Sequence, residues 1–149
     1  MAKILLKFLT AALLSLLPLC VQSQQSGSDY SDFIANRRVN IDELTRNDIL
    51  EIFLFQIKFW QNNTKIVVVL PPYESVSFKR LAQNELKMTT VSYYETLKAK
   101  EYAGKATLLF APNDAFVVIK VAQTPYSIGY YKDAITINNG IAVRVIRLR

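Results

Sequence analysis

Hydrophobic positions along this chain alternate between two spacings, and polar punctuation marks where one gives way to the other. Ile49, Leu50, Ile52 and Phe53 recur at helical spacing and give one broad apolar face. The residues before them, Thr45-Arg46-Asn47-Asp48, have the form of a capping box with Asp in place of the more usual Glu. Thr45 can accept from a free backbone N–H, and Asp48 favours the positive end of the helix. Trp60, after Phe59, is expected to close this unit against the core. Asn62-Asn63 signals a turn, and Lys65–Leu70 is a β-branched run expected to form a buried strand. Pro71-Pro72 ends that strand, because proline has no N–H for the ladder.

The next helix is expected to start near Ser75 or Ser77 and to carry Phe78, Leu81 and Leu86. Another should begin after Thr89-Thr90, with Val91, Tyr94 and Leu97 at helical spacing and Gly104 ending it. Leu108–Ala122 reads both ways. Phe116-Val117-Val118-Ile119 has strand composition, yet Pro112-Asn113-Asp114 is a helix start. Phe33–Val39 and Tyr126–Tyr130 read as strands, Asn138-Asn139-Gly140 as a tight turn, and Ile141–Leu148 as a final strand. Strands alternating with helices imply a layered α/β domain with a mixed sheet.

Residues 1–23 have the pattern of an export signal. Lys3 and Lys7 precede a short apolar stretch, Phe8–Leu17, that Pro18 ends, with Val21 and Ser23 placed for a cut before Gln24. The stretch is shorter than the roughly 20 residues a membrane span needs. Cys20 follows Leu19, a poor residue for lipoprotein processing, and so falls inside the discarded signal. Residues 24–32, rich in Gln, Ser and Gly, read as a flexible leader, which leaves 33–149 as one domain.

Beyond Cys20 the chain has no cysteine, and it has no histidine at all. Disulfides, the usual zinc ligands and the common nucleophile–histidine schemes are thereby excluded, and no cofactor is expected. Removing Lys3 and Lys7 takes the net charge from +6 to +4, 16 basic residues minus 12 acidic. That balance weakly favours anionic partners. No dense basic stripe interleaved with aromatics points to nucleic acid. An enzyme is not expected.

Leu44-Thr45-Arg46, the Ile52-Phe53-Leu54 run, Lys58-Phe59-Trp60, Lys65–Val69, Tyr102-Ala103-Gly104-Lys105 and Pro125–Tyr130 follow one another in an order that resembles one lobe of the phosphate-type periplasmic substrate-binding proteins of ABC transporters. The resemblance implies one lobe of a type II periplasmic-binding-protein fold, a mixed sheet flanked by helices, and a helix from about Asp114 to Gln123. It also implies a periplasmic, exported, non-enzymatic protein. In that family the strand resembling Lys65–Leu70 leads into a Ser-Gly-Thr turn, where free N–H groups and hydroxyls hold an oxyanion.

Here the corresponding turn is Glu74-Ser75-Val76-Ser77, so the resemblance makes Ser75 and Ser77 the candidate ligand residues, with Lys79 and Arg80 just inside the helix. Val76 replaces the glycine, Glu74 adds a carboxylate, and Pro71 stands where the family has arginine. Phe55 stands where relatives carry glycine, either packed in the core or exposed at an interface. A single lobe cannot close over an anion, so tight binding would need a protein partner or a homodimer completing the cleft.

Two functional readings stand: weak recognition of phosphate or a similar anion, and a protein–protein interaction or accessory module with a decayed anion site. An open basic cradle at Glu74–Arg80 would favour the first, and a packed turn the second. Two further patches are tyrosines at 93, 94, 126, 130 and 131, expected half-buried, and Arg144, Arg147 and Arg149, expected to guard an edge strand.

Overall fold

The computed structural model describes residues 30–132, 134 and 142–149 of the chain. The signal stretch and the turn at Asn138-Asn139-Gly140 lie outside the described residues. The elements in order are β1 (Tyr30–Asn36), β2 (Glu43–Leu44), α1 (Arg46–Phe53), β3 (Val67–Leu70), α2 (Val76–Arg80, continued by a π-helical turn at Leu81–Glu85), α3 (Thr90–Tyr102), β4 (Leu108–Phe110), α4 (Asp114–Gln123), β5 (Ser127–Tyr130) and β6 (Val143–Leu148).

The strands form one six-stranded mixed sheet in the order β2-β6-β1-β5-β3-β4. β1 runs antiparallel to both β5 and β6, whereas β3 is parallel to β4 and β5. Strand residues alternate between two buried clusters. Phe33, Ala35, Val68, Leu70, Ile128 and Tyr130 face the core built by α1, α2 and α3. Ile34 and Val69 face the opposite way, toward Val117, Val118 and Val121 of α4. The sheet is therefore covered by helices on both faces. Gly129 keeps α4 close, since a Cβ there would lie 2.8 Å from Val121 Cγ2 and 3.1 Å from the Val69 carbonyl oxygen.

Local signals hold where they predicted helix ends. Thr45 Oγ1 accepts the Asp48 N–H at 3.0 Å, and Asp48 Oδ2 accepts the Thr45 N–H at 2.8 Å, closing the capping box. The Thr45 hydroxyl also donates to Asp48 Oδ2 at 2.7 Å, and this bond first, with the Thr45 N–H second, holds the Asp48 carboxyl below the ordinary aspartate range. Ser75 and Thr89 cap α2 and α3 by accepting the Phe78 and Ser92 N–H, and Asn113 caps α4 over the segment expected to be helical.

Four expectations need correction. The leader expected through residue 32 ends sooner, because β1 begins at Tyr30: the Ser31 hydroxyl donates to the Ile146 carbonyl at 2.5 Å, and the Asp32 carbonyl accepts the Tyr131 N–H at 2.8 Å. Strand pairing uses backbone, so a polar sequence does not prevent it. At its other end β1 stops at Asn36, short of Val39, because the Asn36 amide leaves the strand to cap α4 through the carbonyls of Val121 (2.8 Å) and Ala122 (2.9 Å).

Thirdly, β6 is not an edge strand. The two-residue β2 pairs alongside it, and the arginines bind acids there, Arg144 to Asp42 at 2.5 Å and Arg147 to Glu43 at 3.2 Å. Tyr93 and Tyr130 are fully buried rather than half-buried, and burial raises both phenols above the ordinary tyrosine range.

Phe55 is a core residue, 4% exposed, yet its φ is 57°. It ends α1 in a Schellman arrangement: its own N–H donates to the Ile52 carbonyl, and the Gln56 N–H to the Glu51 carbonyl. Glycine is the usual residue at that position, because a left-handed backbone costs other residues roughly 1–2 kcal/mol. Here burial of the ring offsets that cost.

Candidate functional site

The turn between β3 and α2 carries the four residues singled out in sequence. Pro71 and Pro72 end β3 without extending its ladder, and Ser75 takes an extended backbone so that its hydroxyl can accept the Phe78 N–H at 3.0 Å. Its oxygen thus satisfies one of the donors that an anion would otherwise use. Ser77 is 3% exposed and donates its hydroxyl to Asp114 Oδ2 at 2.6 Å. The Ser75 oxygen, as acceptor, and the Ser77 O–H, as donor, are thus engaged within the chain.

Asp114 is the residue that sequence reasoning missed in this role. It was legible as a helix start, and it does stand in the first turn of α4. Its second oxygen, Oδ1, is buried and has no hydrogen-bond partner among the described residues. The bond to Ser77 joins α2 to α4 across 37 residues of sequence, a distance over which no local signal operates.

Lys79 and Arg80 stand exposed in the last turn of α2, and neither makes an ion pair among the described residues. Glu74 is exposed beside them, and Val76 is 69% exposed at the place where the resemblance puts glycine. The structure thus brings Ser75 and Ser77 into one turn with their oxygens committed, and leaves the two cations in solvent. An oxyanion seated on Ser77 would meet the Asp114 carboxylate, and like charges a few ångströms apart cost on the order of 1–4 kcal/mol. Exposed apolar side chains stand on both helices that the Ser77–Asp114 bond joins: Val76 on α2, and Phe116 and Ile119 on α4, which are 44% and 42% exposed.

Comparison with solved structures identifies the architecture. The chain has the fold of one lobe of a phosphate-type substrate-binding protein. A phosphate-bound structure from Clostridium perfringens, assigned to the substrate-binding proteins of phosphate ABC transporters, superposes with a TM-score of 0.57 at 16% identity, over 78% of this chain and 44% of that one. PstS from Borrelia burgdorferi gives 0.55 at 20% identity, over 78% and 46%. A candidate phosphate-binding protein from Planctomyces limnophilus gives 0.56 at 12% identity, over 79% and 40%.

This chain spans less than half the length of each of these neighbours. No family model and no curated protein matches its sequence. Among the described residues, no helix is long and apolar enough to cross a membrane.

Proposed function

We propose that this chain is an exported, non-enzymatic accessory protein, a single solute-binding lobe whose anion turn is closed by its own side chains and which acts through protein contacts. The observation that carries the reading is the bond from the Ser77 hydroxyl to the Asp114 carboxylate. It occupies a hydroxyl that a phosphate would need and places a negative charge where the phosphate would sit. The exposed apolar residues on the two elements joined by that bond, Val76, Phe116 and Ile119, suit contact with another protein surface better than capture of an ion.

One observation favours a second reading, weak binding of phosphate alone or with a partner. Lys79 and Arg80 remain exposed beside Ser75, on a fold whose solved neighbours include a phosphate-bound protein.

Calorimetric titration of the purified chain with phosphate, and with sulfate as control, separates the two. A closed turn gives no saturable heat at millimolar phosphate, an affinity weaker than about −4 kcal/mol. Saturable phosphate binding that Ser75→Ala abolishes would overturn the reading. Sedimentation across a concentration series tests whether the contacted surface belongs to a second copy. A dimer that Val76→Glu and Phe116→Glu both dissolve would establish a homodimer through this face.

A further inference from the structure

A cleft of about 150 Å³ lies at the opposite end of the parallel strands from the Glu74–Arg80 turn. That turn follows the C-terminal end of β3, whereas the cleft adjoins Tyr126, immediately before the N-terminal end of the parallel strand β5. Its lining includes the apolar side chains of Ile41, Trp60 and Tyr126 and the amides of Asn40, Gln61 and Asn62. Trp60 is buried and Ile41 and Tyr126 half-buried, so they make the floor, while the three amides are exposed and make the rim.

The chemistry of the lining is uniform in one respect: no carboxylate, lysine or arginine belongs to it. Such a surface has nothing to balance a charged ligand. The amides of Asn40 and Gln61 offer both donors and acceptors, Asn62 offers N–H donors because its oxygen accepts from Thr64, and aromatic walls beneath them offer ring faces for an apolar C–H surface. Hydroxyl-rich neutral rings present both kinds of surface at once. At roughly 30 Å³ per water, the space equals about five waters, close to what a single pyranose ring displaces.

The backbone around the cleft is held in an unfavourable form. Tyr126 has φ 60° and Asn63, beside the rim, has φ 61°. A bulky aromatic residue is a genuine outlier there. Tyr126 is pinned by the Trp60 indole N–H, which donates to its carbonyl at 2.8 Å. The loop carrying Gln61 is tied by the Trp60 N–H to the Thr64 carbonyl (2.8 Å) and by the Thr64 N–H to the Asn62 side chain (3.1 Å). Over-determined strain of this sort gathers at sites that hold ligands.

We propose that this cleft binds one ring of a neutral saccharide. The site shares no residue with the Glu74–Arg80 turn, so it stands or falls independently of the function proposed for that turn.

Trp60 is the single tryptophan of the chain, so emission excited at the red edge of indole absorption reports this cleft alone. The purified chain is titrated with glucose, galactose, mannose and N-acetylglucosamine, and with inorganic phosphate as the charged control. The expected result is a saturable change in Trp60 emission with at least one sugar and none with phosphate. Gln61→Ala or Asn40→Ala, both at exposed rim positions, should weaken the sugar response by about tenfold at an unchanged Tm. The absence of a saturable response to all four sugars at about 10 mM, a response both variants leave unaltered, or an equal response to phosphate would each overturn the proposal.

Discussion

The Ser77–Asp114 bond is the feature on which the functional reading turns, and its strength is open to measurement. Replacing Ser77 by alanine removes a hydrogen bond to a charged acceptor, worth about 1.5–3 kcal/mol, and leaves Asp114 with neither carboxylate oxygen paired among the described residues. Alanine's higher helix propensity returns about 0.5 kcal/mol. The net loss expected for Ser77→Ala is therefore roughly 1–2.5 kcal/mol.

Asp114→Ala loses the same bond and about 0.3–1 kcal/mol of favourable interaction with the α4 N-terminus, but it also relieves the buried, unpartnered Oδ1. It strands the buried Ser77 hydroxyl in turn. The double variant strands neither group. Its loss should thus fall short of the sum of the single losses by about 1–2 kcal/mol, inside the range found for residues in direct contact. Urea unfolding followed by Trp60 emission and by circular dichroism measures all four corners of the cycle. A coupling below about 0.5 kcal/mol would mean that the bond does not hold the turn shut, and the argument for a closed site would fail.

Gly129→Ala drives a Cβ to 2.8 Å from Val121 Cγ2 and 3.1 Å from the Val69 carbonyl, so a loss of about 1–3 kcal/mol is expected, read as a lowered urea midpoint. Phe55→Gly and Lys87→Gly both relieve a left-handed backbone, at φ 57° and 54°, with opposite outcomes. The first empties a buried ring site and should destabilise by about 2–4 kcal/mol, whereas the second, at an exposed residue, should stabilise by up to about 1 kcal/mol. Thermal unfolding of the two variants side by side checks the sign.

Because the Asp48 carboxyl is held below its ordinary value of 3.8, its contribution is present above that value and is lost as pH falls through the folded one. Asp48→Asn should therefore flatten the loss of stability below about pH 4, measured by urea titrations at stepped pH. For Tyr93 the shift is upward, so its contribution is present below 10.0 and disappears as pH rises above it. Tyr93→Phe should accordingly soften unfolding in alkali, followed by circular dichroism.

How much of this could be read in the sequence depended on the range of the interaction. The capping box at Thr45–Asp48 and the caps at Ser75 and Thr89 were legible because donor and acceptor lie within three residues. The three-residue β4 and two-residue β2 were not, since neither is long enough to show alternation and each is defined by a partner far along the chain. Missing β2 made β6 look like an edge and turned its arginines into guards, when they pair with Asp42 and Glu43. At the candidate site the residues Ser75, Ser77, Lys79 and Arg80 were named in advance, but the tie from Ser77 to Asp114 was not. Ser77 reads as a free hydroxyl until α4 delivers Asp114 to it.

The use of glycine bears on what the lobe is built to do. The chain has 4 glycines in 149 residues, against a usual share of about 7%. Among the described residues, left-handed backbone falls on Phe55, Asn63, Lys87 and Tyr126, and on glycine only at Gly104. At Phe55 the strain is offset by a buried ring, and at Tyr126 the backbone is pinned by the Trp60 indole. Gly129 is present for a different reason, because there is no room for a Cβ beneath α4. The chain thus keeps a glycine where packing demands it and does without several where backbone freedom would be the gain. Val76 fits the same pattern at the turn where an anion would have to come closest to the backbone. A lobe meant to adapt around a small ion would keep that freedom. Exchanging it for side chains that fix the shape is what the proposed accessory function would ask of a surface that meets a partner preformed.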